Sequence, residues 1–192
     1  MVDVDNAIEL KHLYCKVGSQ VLLGDINWTV KVGEHWIVFG MNGSGKTTLL
    51  SIISGFNNYS KGLLRVFGEE FTAENILSLR KRIGWVSSSF FDKCYRNETV
   101  LDIVLSGLTG TLGVAGMTSD YDVHKALQLL SELNVGDKAG VAFSALSKGE
   151  RQNVLIARAM IATVYKGNII KNLIMDCQSY TKYRPNETTG GI

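Results

Sequence analysis

The chain has 192 residues, a length that fits one domain of ordinary size. Hydrophobic residues make up 45% of the sequence and charged residues 20%, a composition that excludes a wholly disordered chain. Lys and Arg (20) nearly balance Asp and Glu (18), and neither half of the chain is strongly basic, so nucleic acid is not a predicted partner.

Three features of the sequence predict a cytoplasmic chain. Residues 1–5 lack the basic and apolar regions of a secretory signal peptide. The longest uncharged stretch, 103–119, is interrupted by glycines and is too polar to predict a membrane span. Cys15, Cys94 and Cys177 are widely spaced and form no CxxC pair, which predicts free thiols in a reducing compartment and no zinc site.

The first half of the chain alternates strand-like and turn-like segments. An apolar run at 35–39 ends at Gly40 and predicts a buried parallel strand. The helical segment after the glycine-rich loop is stopped by Gly55. In chain order, the predicted elements are strands at 8–17 and 20–32 with a turn at 18–19 between them, a strand at 35–39, a helix at 46–54, and strands at 63–66 and 83–87.

In the second half of the chain, apolar residues follow helical spacing. Two such segments, 100–105 and 123–133, are joined by a glycine-rich link, and we expect a small helical subdomain at about 98–141. A further helix is predicted from Ser147 to about Ala162. Strands and helices that alternate around a buried strand predict an α/β fold with mainly parallel strands.

The strongest motif is Gly40-Met-Asn-Gly-Ser-Gly-Lys-Thr47, which fits G-x-x-x-x-G-K-[ST] and stands between a predicted strand and a predicted helix. Glycines let backbone N–H groups wrap phosphate oxygens, and the helix directs its positive end at the same anion. We expect Lys46 to contact the β- and γ-phosphates and Thr47 to hold Mg²⁺. The predicted nucleotide-binding residues are Gly40, Asn42, Gly43, Ser44, Gly45, Lys46, Thr47 and Thr48.

A second motif, Leu146-Ser-Lys-Gly-Glu150, precedes a helical segment that contains Ile156-Ala-Arg-Ala159. With these residues the chain resembles the ATP-binding cassette (ABC) family, whose signature Leu-Ser-Gly-Gly-Gln is matched except at Lys148 and Glu150. The first motif, which we call the phosphate loop (residues 40–47), lies about a hundred residues earlier, and the pair of motifs is more specific than either alone. Ser147 and Glu150 also fit a capping box, and the two interpretations are compatible because a capped helix start points N–H groups outward.

The resemblance covers roughly residues 8–162 and implies an α/β fold of the P-loop NTPase class, an ABC-type cassette with a mixed β-sheet core, an N-terminal β-region and a helical subdomain. It implies ATP and Mg²⁺ as cofactors. It also implies a homodimer in which each ATP lies between the phosphate loop of one chain and the signature of its partner, formed by Ser147, Lys148, Gly149 and Glu150. A separate membrane permease subunit would dock on the helical subdomain, which places the chain peripherally at the cytoplasmic face of the membrane.

Two positions before the signature depart from the family pattern. The family commonly stacks an aromatic residue on adenine, and the aligned position here is Val17, with Tyr14 as a weak substitute. The family's Q-loop Gln, which contacts metal and water, falls near Ser88. A serine can bind a metal through water with a shorter reach, so Ser88 is a predicted metal contact.

The C-terminal segment departs most. Leu173-Ile-Met-Asp-Cys177 preserves the apolar run and the Asp of the family's Walker B strand, which makes Asp176 a candidate Mg²⁺ ligand. Cys177 stands where the family has the Glu that polarises the attacking water, and a neutral thiol is a poor general base at pH 7. The catalytic residue is therefore unknown. We expect an atypical tail at 163–192 with incomplete C-terminal strands, and a genuine tail and a product of truncation or a frame shift both stay open as its origin.

Two functions remain open at this point. The first is an ATPase subunit that binds MgATP and couples its hydrolysis to transport through the permease. The alternative is a module that holds nucleotide without turnover, because the Walker B Glu, the D-loop and the switch His of the family are missing. A small GTPase is disfavoured, since its Asn-Lys-x-Asp guanine motif does not occur in the sequence.

Overall fold

The fold comes from a computed structural model that describes residues 5–95, 97–113, 118–164 and 173–175. The strands are β1 (Asn6–Val17), β2 (Gln20–Lys31), β3 (Lys61–Val66), β4 (Gly84–Val86) and β5 (Leu173–Met175). The helices are α1 (Lys46–Ile53), α2 (Ile76–Arg82), α3 (Ser88–Cys94), α4 (Val100–Thr109), α5 (Asp120–Glu132) and α6 (Lys148–Val164), with short 3₁₀ turns at Gly136–Lys138 and Phe143–Ala145. Within this described part, no helix is both long and apolar enough to cross a membrane.

The N-terminal region is a three-stranded antiparallel sheet in the order β2-β1-β3. β1 and β2 form a hairpin whose turn contains Gly18 in the left-handed region, at a φ of 58°. Leu10 lies opposite Leu64 of β3, and both side chains are buried. The apolar face of α1, including Ile52 and Ile53, packs into the same hydrophobic cluster as this sheet. The sheet therefore supports the helix that follows the glycine-rich loop.

The second hydrophobic cluster lies between the helices. α4 packs against α6 and α5, and α6 also covers β4. Thr99 is the N-cap of α4, and its hydroxyl accepts a hydrogen bond from the Asp102 N–H. α5 begins with a capping box between Ser119 and Asp122. These caps explain why helices form inside the predicted segment 98–141.

The prediction of a buried strand at 35–39 is wrong. The segment contains no strand, and Ile37 and Phe39 are 90% and 96% exposed. A buried parallel strand needs neighbouring strands on both sides. β4 pairs with β5, and no strand of the described residues pairs with 35–39. An apolar run alone therefore does not predict a buried strand, because burial depends on the neighbours that the segment meets.

The expectation of mainly parallel strands is also wrong for the described part of the chain. β1, β2 and β3 pair antiparallel, and only β4 and β5 run parallel. A two-residue turn can join only antiparallel strands, so the hairpin between β1 and β2 was already implied by the turn at 18–19. The described residues thus contain both kinds of pairing, in two separate sheets.

Candidate functional site

The glycine-rich loop leads into α1 through Gly45, which caps the helix in the left-handed region at a φ of 89°. Gly43 is also left-handed, at 84°. A Cβ on Gly45 would lie 2.7 Å from Leu23 Cδ2 and 3.0 Å from the Leu22 carbonyl oxygen of β2. Glycine is thus required at position 45 both by its backbone conformation and by the close approach of β2.

The Lys46 ammonium group folds back over the loop. It donates to the carbonyl oxygens of Gly40 at 2.6 Å and Met41 at 2.8 Å, and it lies 3.5 Å from the Ser44 hydroxyl. The N–H of Ser44 also donates to the Met41 carbonyl oxygen, at 3.2 Å. The loop is therefore wrapped around a positive charge, an arrangement that suits phosphate oxygens.

The residues after the lysine begin α1. Thr47 and Thr48 are half-buried in its first turn. The Thr48 carbonyl oxygen accepts a hydrogen bond from the buried Ser51 hydroxyl, at 2.8 Å, and Asn57 donates to that hydroxyl from beyond the helix. These bonds join α1 to the segment that follows it.

The serine turn, which we define as Ser87–Ser89, begins α3. Ser87 is buried, Ser88 is half-buried, and the Ser87 and Ser89 hydroxyls lie 3.2 Å apart. α3 packs against α1 and against α6. The structure thus brings the helix that carries Ser88 against the helix that carries Thr47.

The signature turn, defined as Ser147–Glu150, begins α6. The Ser147 N–H donates to the Glu150 carboxylate at 2.7 Å, and the Glu150 N–H donates to the Ser147 hydroxyl at 3.3 Å. The predicted capping box is confirmed. Hydrogen bonds from the Ser147 side chain and backbone hold the pKa of Glu150 below its usual value. Ser147, Lys148 and Gly149 are exposed, so the turn presents its polar groups at the surface.

The apolar run 173–175, which the sequence analysis compared with the Walker B strand of the family, forms β5, and β5 runs parallel to β4 with Ile174 opposite Trp85. Asp176 and Cys177, the candidate metal ligand and the residue at the Glu position, lie outside the described residues. Val17, at the position where the family has an aromatic residue, is exposed near the hairpin turn.

Two arginines that the sequence analysis did not single out contact the segment after the serine turn. Arg151 lies 3.2 Å from Asp92, and Arg158 donates to the Tyr95 hydroxyl at 3.0 Å. Their spacing of seven residues on one predicted helix, which places them on one face, was the only signal that could have found them.

Comparison with known proteins identifies relatives for most of the chain. Residues 23–165 match the ABC transporter family. The chain is 34% identical over 156 residues to the ABC transporter ATP-binding protein YlmA of Bacillus subtilis, a match that covers 81% of this chain and 59% of YlmA. It is 32% identical over 149 residues to the phosphonates import ATP-binding protein PhnC of Staphylococcus epidermidis, covering 74% of this chain and 57% of PhnC. The chain thus spans less than two thirds of the length of these relatives.

Solved structures share the fold. An ATP-binding cassette solved as a dimer in a post-hydrolysis state, bound to ADP and Pi, aligns with a TM-score of 0.66 at 26% identity, covering 81% of this chain and 70% of that chain. A nucleotide-free ATP-binding cassette aligns with a TM-score of 0.63 at 22% identity, covering 82% and 66%. The predicted α/β fold of the P-loop cassette type is confirmed.

Proposed function

The chain belongs to the ABC transporter family, and from that premise we propose that it is the ATP-binding subunit of a transporter, which binds MgATP and couples its hydrolysis to a separate membrane permease. The observation that carries the proposal is the loop around Lys46. Its ammonium group is held by the Gly40 and Met41 carbonyl oxygens at the mouth of a left-handed glycine turn. A triphosphate offers this lysine stronger, charged acceptors in place of two carbonyl groups.

The donors at the site fit Mg²⁺ in kind. Thr47 and Ser88 both carry hydroxyl oxygens, and Mg²⁺ prefers oxygen ligands together with phosphate groups. The two residues lie on α1 and α3, which pack against each other. When bound, the ion would neutralise charge on the phosphates. Asp176 remains a proposed third contact.

The signature turn supports a homodimer. It is exposed and preformed by its capping box, so that it can contact a nucleotide held by a second copy of the chain. A related cassette was solved as a dimer with ADP and Pi. We place the assembly at the cytoplasmic face of the membrane, with the permease docked on the helices α4 and α5.

A second candidate function is nucleotide binding without turnover. It is favoured by Cys177, which follows Asp176 directly in the sequence where the family has a glutamate. A thiol at pH 7 is mostly protonated and polarises water poorly. The chain would then act as a nucleotide-dependent dimer rather than as an ATPase.

Steady-state ATP hydrolysis separates the two functions. The purified chain is compared with Lys46→Ala and Cys177→Glu, each with Mg²⁺ present. Turnover in the wild type that is lost in Lys46→Ala supports the ATPase. Turnover only in Cys177→Glu supports the binding module, and turnover in none of the three contradicts a hydrolytic site on this chain.

A further inference from the structure

Two arginines project from one face of α6 toward α3. Arg151 and Arg158 are seven residues apart, which is about two helical turns, so their side chains lie along the same side of the helix. Their partners Asp92 and Tyr95 are three residues apart on α3 and at its C-terminal cap, which is about one turn. The two helices are therefore joined at two separate points.

The first point is the buried guanidinium of Arg158. Arg158 is 5% exposed, and it forms no ion pair with a residue in the described ranges. Nε donates to the Tyr95 hydroxyl at 3.0 Å and to the Ser106 hydroxyl at 3.1 Å, and a terminal nitrogen donates to the Thr111 carbonyl oxygen at 2.8 Å. The guanidinium also lies 4.9 Å from the ring centroid of Phe91. A buried charge needs such partners, and two of them, Phe91 and the C-cap residue Tyr95, belong to α3, so Arg158 joins α6 to the end of α3.

The second point is the ion pair of Arg151. One terminal nitrogen lies 3.2 Å from Asp92 Oδ1, and the other donates to the Ser144 carbonyl oxygen at 2.7 Å. Ser144 lies just before the signature turn, so Arg151 ties α3 to that turn directly. Both charged side chains are partly shielded from solvent, with 23% of Arg151 and 35% of Asp92 exposed.

Aromatic packing holds the start of α3, which includes Ser88, against β4. Trp85, in β4, has its ring centroid 4.4 Å from that of Phe90 and 5.0 Å from that of Phe91. Trp85 lies two residues before the serine turn, and the two phenylalanines follow the turn. A displacement of α3 would therefore displace the Ser88 hydroxyl as well.

We propose that Arg151 and Arg158 are positioning residues that fix α3 to α6, so that the serine turn and the signature turn of one chain form a single rigid body. The consequence for the candidate site rests on the proposed function. In that function Ser88 would contact the metal at the site on its own chain, whereas the signature turn would contact the nucleotide on a second copy. Arg151, Arg158 and their contacts with α3, which we call the arginine clamp, would thereby link the two nucleotide sites of the dimer.

Amide hydrogen exchange on the full chain tests the clamp without any ligand. A lysine at position 151 cannot hold Asp92 and the Ser144 carbonyl oxygen at once, and Tyr95→Phe removes one partner of Arg158. We expect exchange in α3 to accelerate about two- to tenfold in each variant, the scale of one lost polar contact, while α1 stays unchanged. Arg82→Lys is the matched control, because Arg82 also pairs with a carboxylate, Glu69 at 2.6 Å, and also lies over a phenylalanine ring. The exchanged pair, Asp92→Arg with Arg151→Asp, should restore protection of α3.

Equal exchange in α3 for the wild type and both clamp variants overturns the proposal, as does an equal acceleration in α1 or in the Arg82→Lys control.

A second measurement compares ATP affinity with and without Mg²⁺. We expect Arg151→Lys to lower the Mg²⁺-dependent gain about two- to tenfold and to leave the Mg²⁺-free affinity unchanged. An unchanged gain overturns the link to Ser88. If the wild type binds no ATP, the proposed function fails, and hydrogen exchange alone decides the clamp.

Discussion

The phosphate loop and the signature turn both precede a helix, but they are stabilised in different ways. The phosphate loop ends at Gly45, which has no side chain to occupy the first N–H groups of α1. The signature turn begins at Ser147, whose hydroxyl accepts the Glu150 N–H, so α6 starts from a closed capping box. In the proposed function the phosphate loop leaves the first N–H groups of α1 to a phosphate, whereas the signature turn keeps its shape before any nucleotide binds and presents the exposed residues Ser147, Lys148 and Gly149.

The two turns also differ in how deeply the residues around them are buried. The segment before the phosphate loop is exposed, with Phe39 at its end. The signature helix is buried against α4, β4 and α3. We expect the signature region to unfold only with the whole domain and the phosphate loop to open locally.

The largest expected effect on stability comes from substituting a phenylalanine in each of the two regions. Phe91 is fully buried in the aromatic cluster beside α6, whereas Phe39 is 96% exposed. Phe91→Ala should lower the free energy of unfolding by about 3–5 kcal/mol. Phe39→Ala should change it by less than about 0.5 kcal/mol. Chemical denaturation of both variants measures the effect, and comparable losses would show that the exposed segment is packed in solution.

The glycine cap of α1 gives the next largest effect. Gly45→Ala places a left-handed residue against Leu23 and the backbone of β2, and should cost about 2–3 kcal/mol from strain and contact together. Gly33→Ala is the matched control, since Gly33 has the same φ of 89° with no atom within 4 Å of a built Cβ. It should cost only about 1–2 kcal/mol. Thermal unfolding of the pair separates the two contributions, and equal losses would mean that β2 moves away.

The capping boxes of α6 and α5 allow a comparison between the turn that we propose to contact nucleotide and a turn with no proposed ligand. Ser147→Ala and Ser119→Ala each remove an N-cap hydroxyl and should each cost about 1 kcal/mol of stability. Only Ser147→Ala should also weaken nucleotide-dependent dimerisation, measured by analytical ultracentrifugation with ATP. Equal weakening by Ser119→Ala would assign the effect to stability rather than to the signature turn.

The smallest effect is the pH dependence of the signature turn. Because hydrogen bonds from Ser147 lower the folded-state pKa of Glu150, its ionised form stabilises the fold at pH values above its unfolded pKa. This contribution is lost as the pH falls through the folded-state pKa. Glu150→Gln removes the ionisation, so the stability difference between the wild type and the variant should shrink in acid. A difference that stays constant from pH 7 to pH 3 contradicts this assignment.

The sequence predicts features that depend on neighbouring residues along the chain. The glycine-rich loop, the helix after it and the box at Ser147 and Glu150 all follow from local spacing, and the structure places each where expected. Helix starts are predictable because a cap and its N–H partner lie within three residues.

Features that depend on distant partners were not predictable in the same way. The run at 35–39 has a strand-like sequence, but no described strand pairs with it. The contact between Arg158 and Tyr95 joins residues 63 positions apart. A periodic pattern places both side chains on helix faces but does not show which faces meet.

The measurement that tests the central claim most directly is calorimetric ATP binding, with the wild type beside Lys46→Ala and the control Lys11→Ala. Lys11 is also a surface lysine, and its ammonium group pairs with Glu9 at 2.7 Å, away from the loop. We expect Lys46→Ala to weaken ATP binding about 10- to 100-fold, as the loss of a charge-assisted hydrogen bond predicts, and Lys11→Ala to bind as the wild type does. Equal affinity in all three proteins would contradict the assignment of the loop as the triphosphate site.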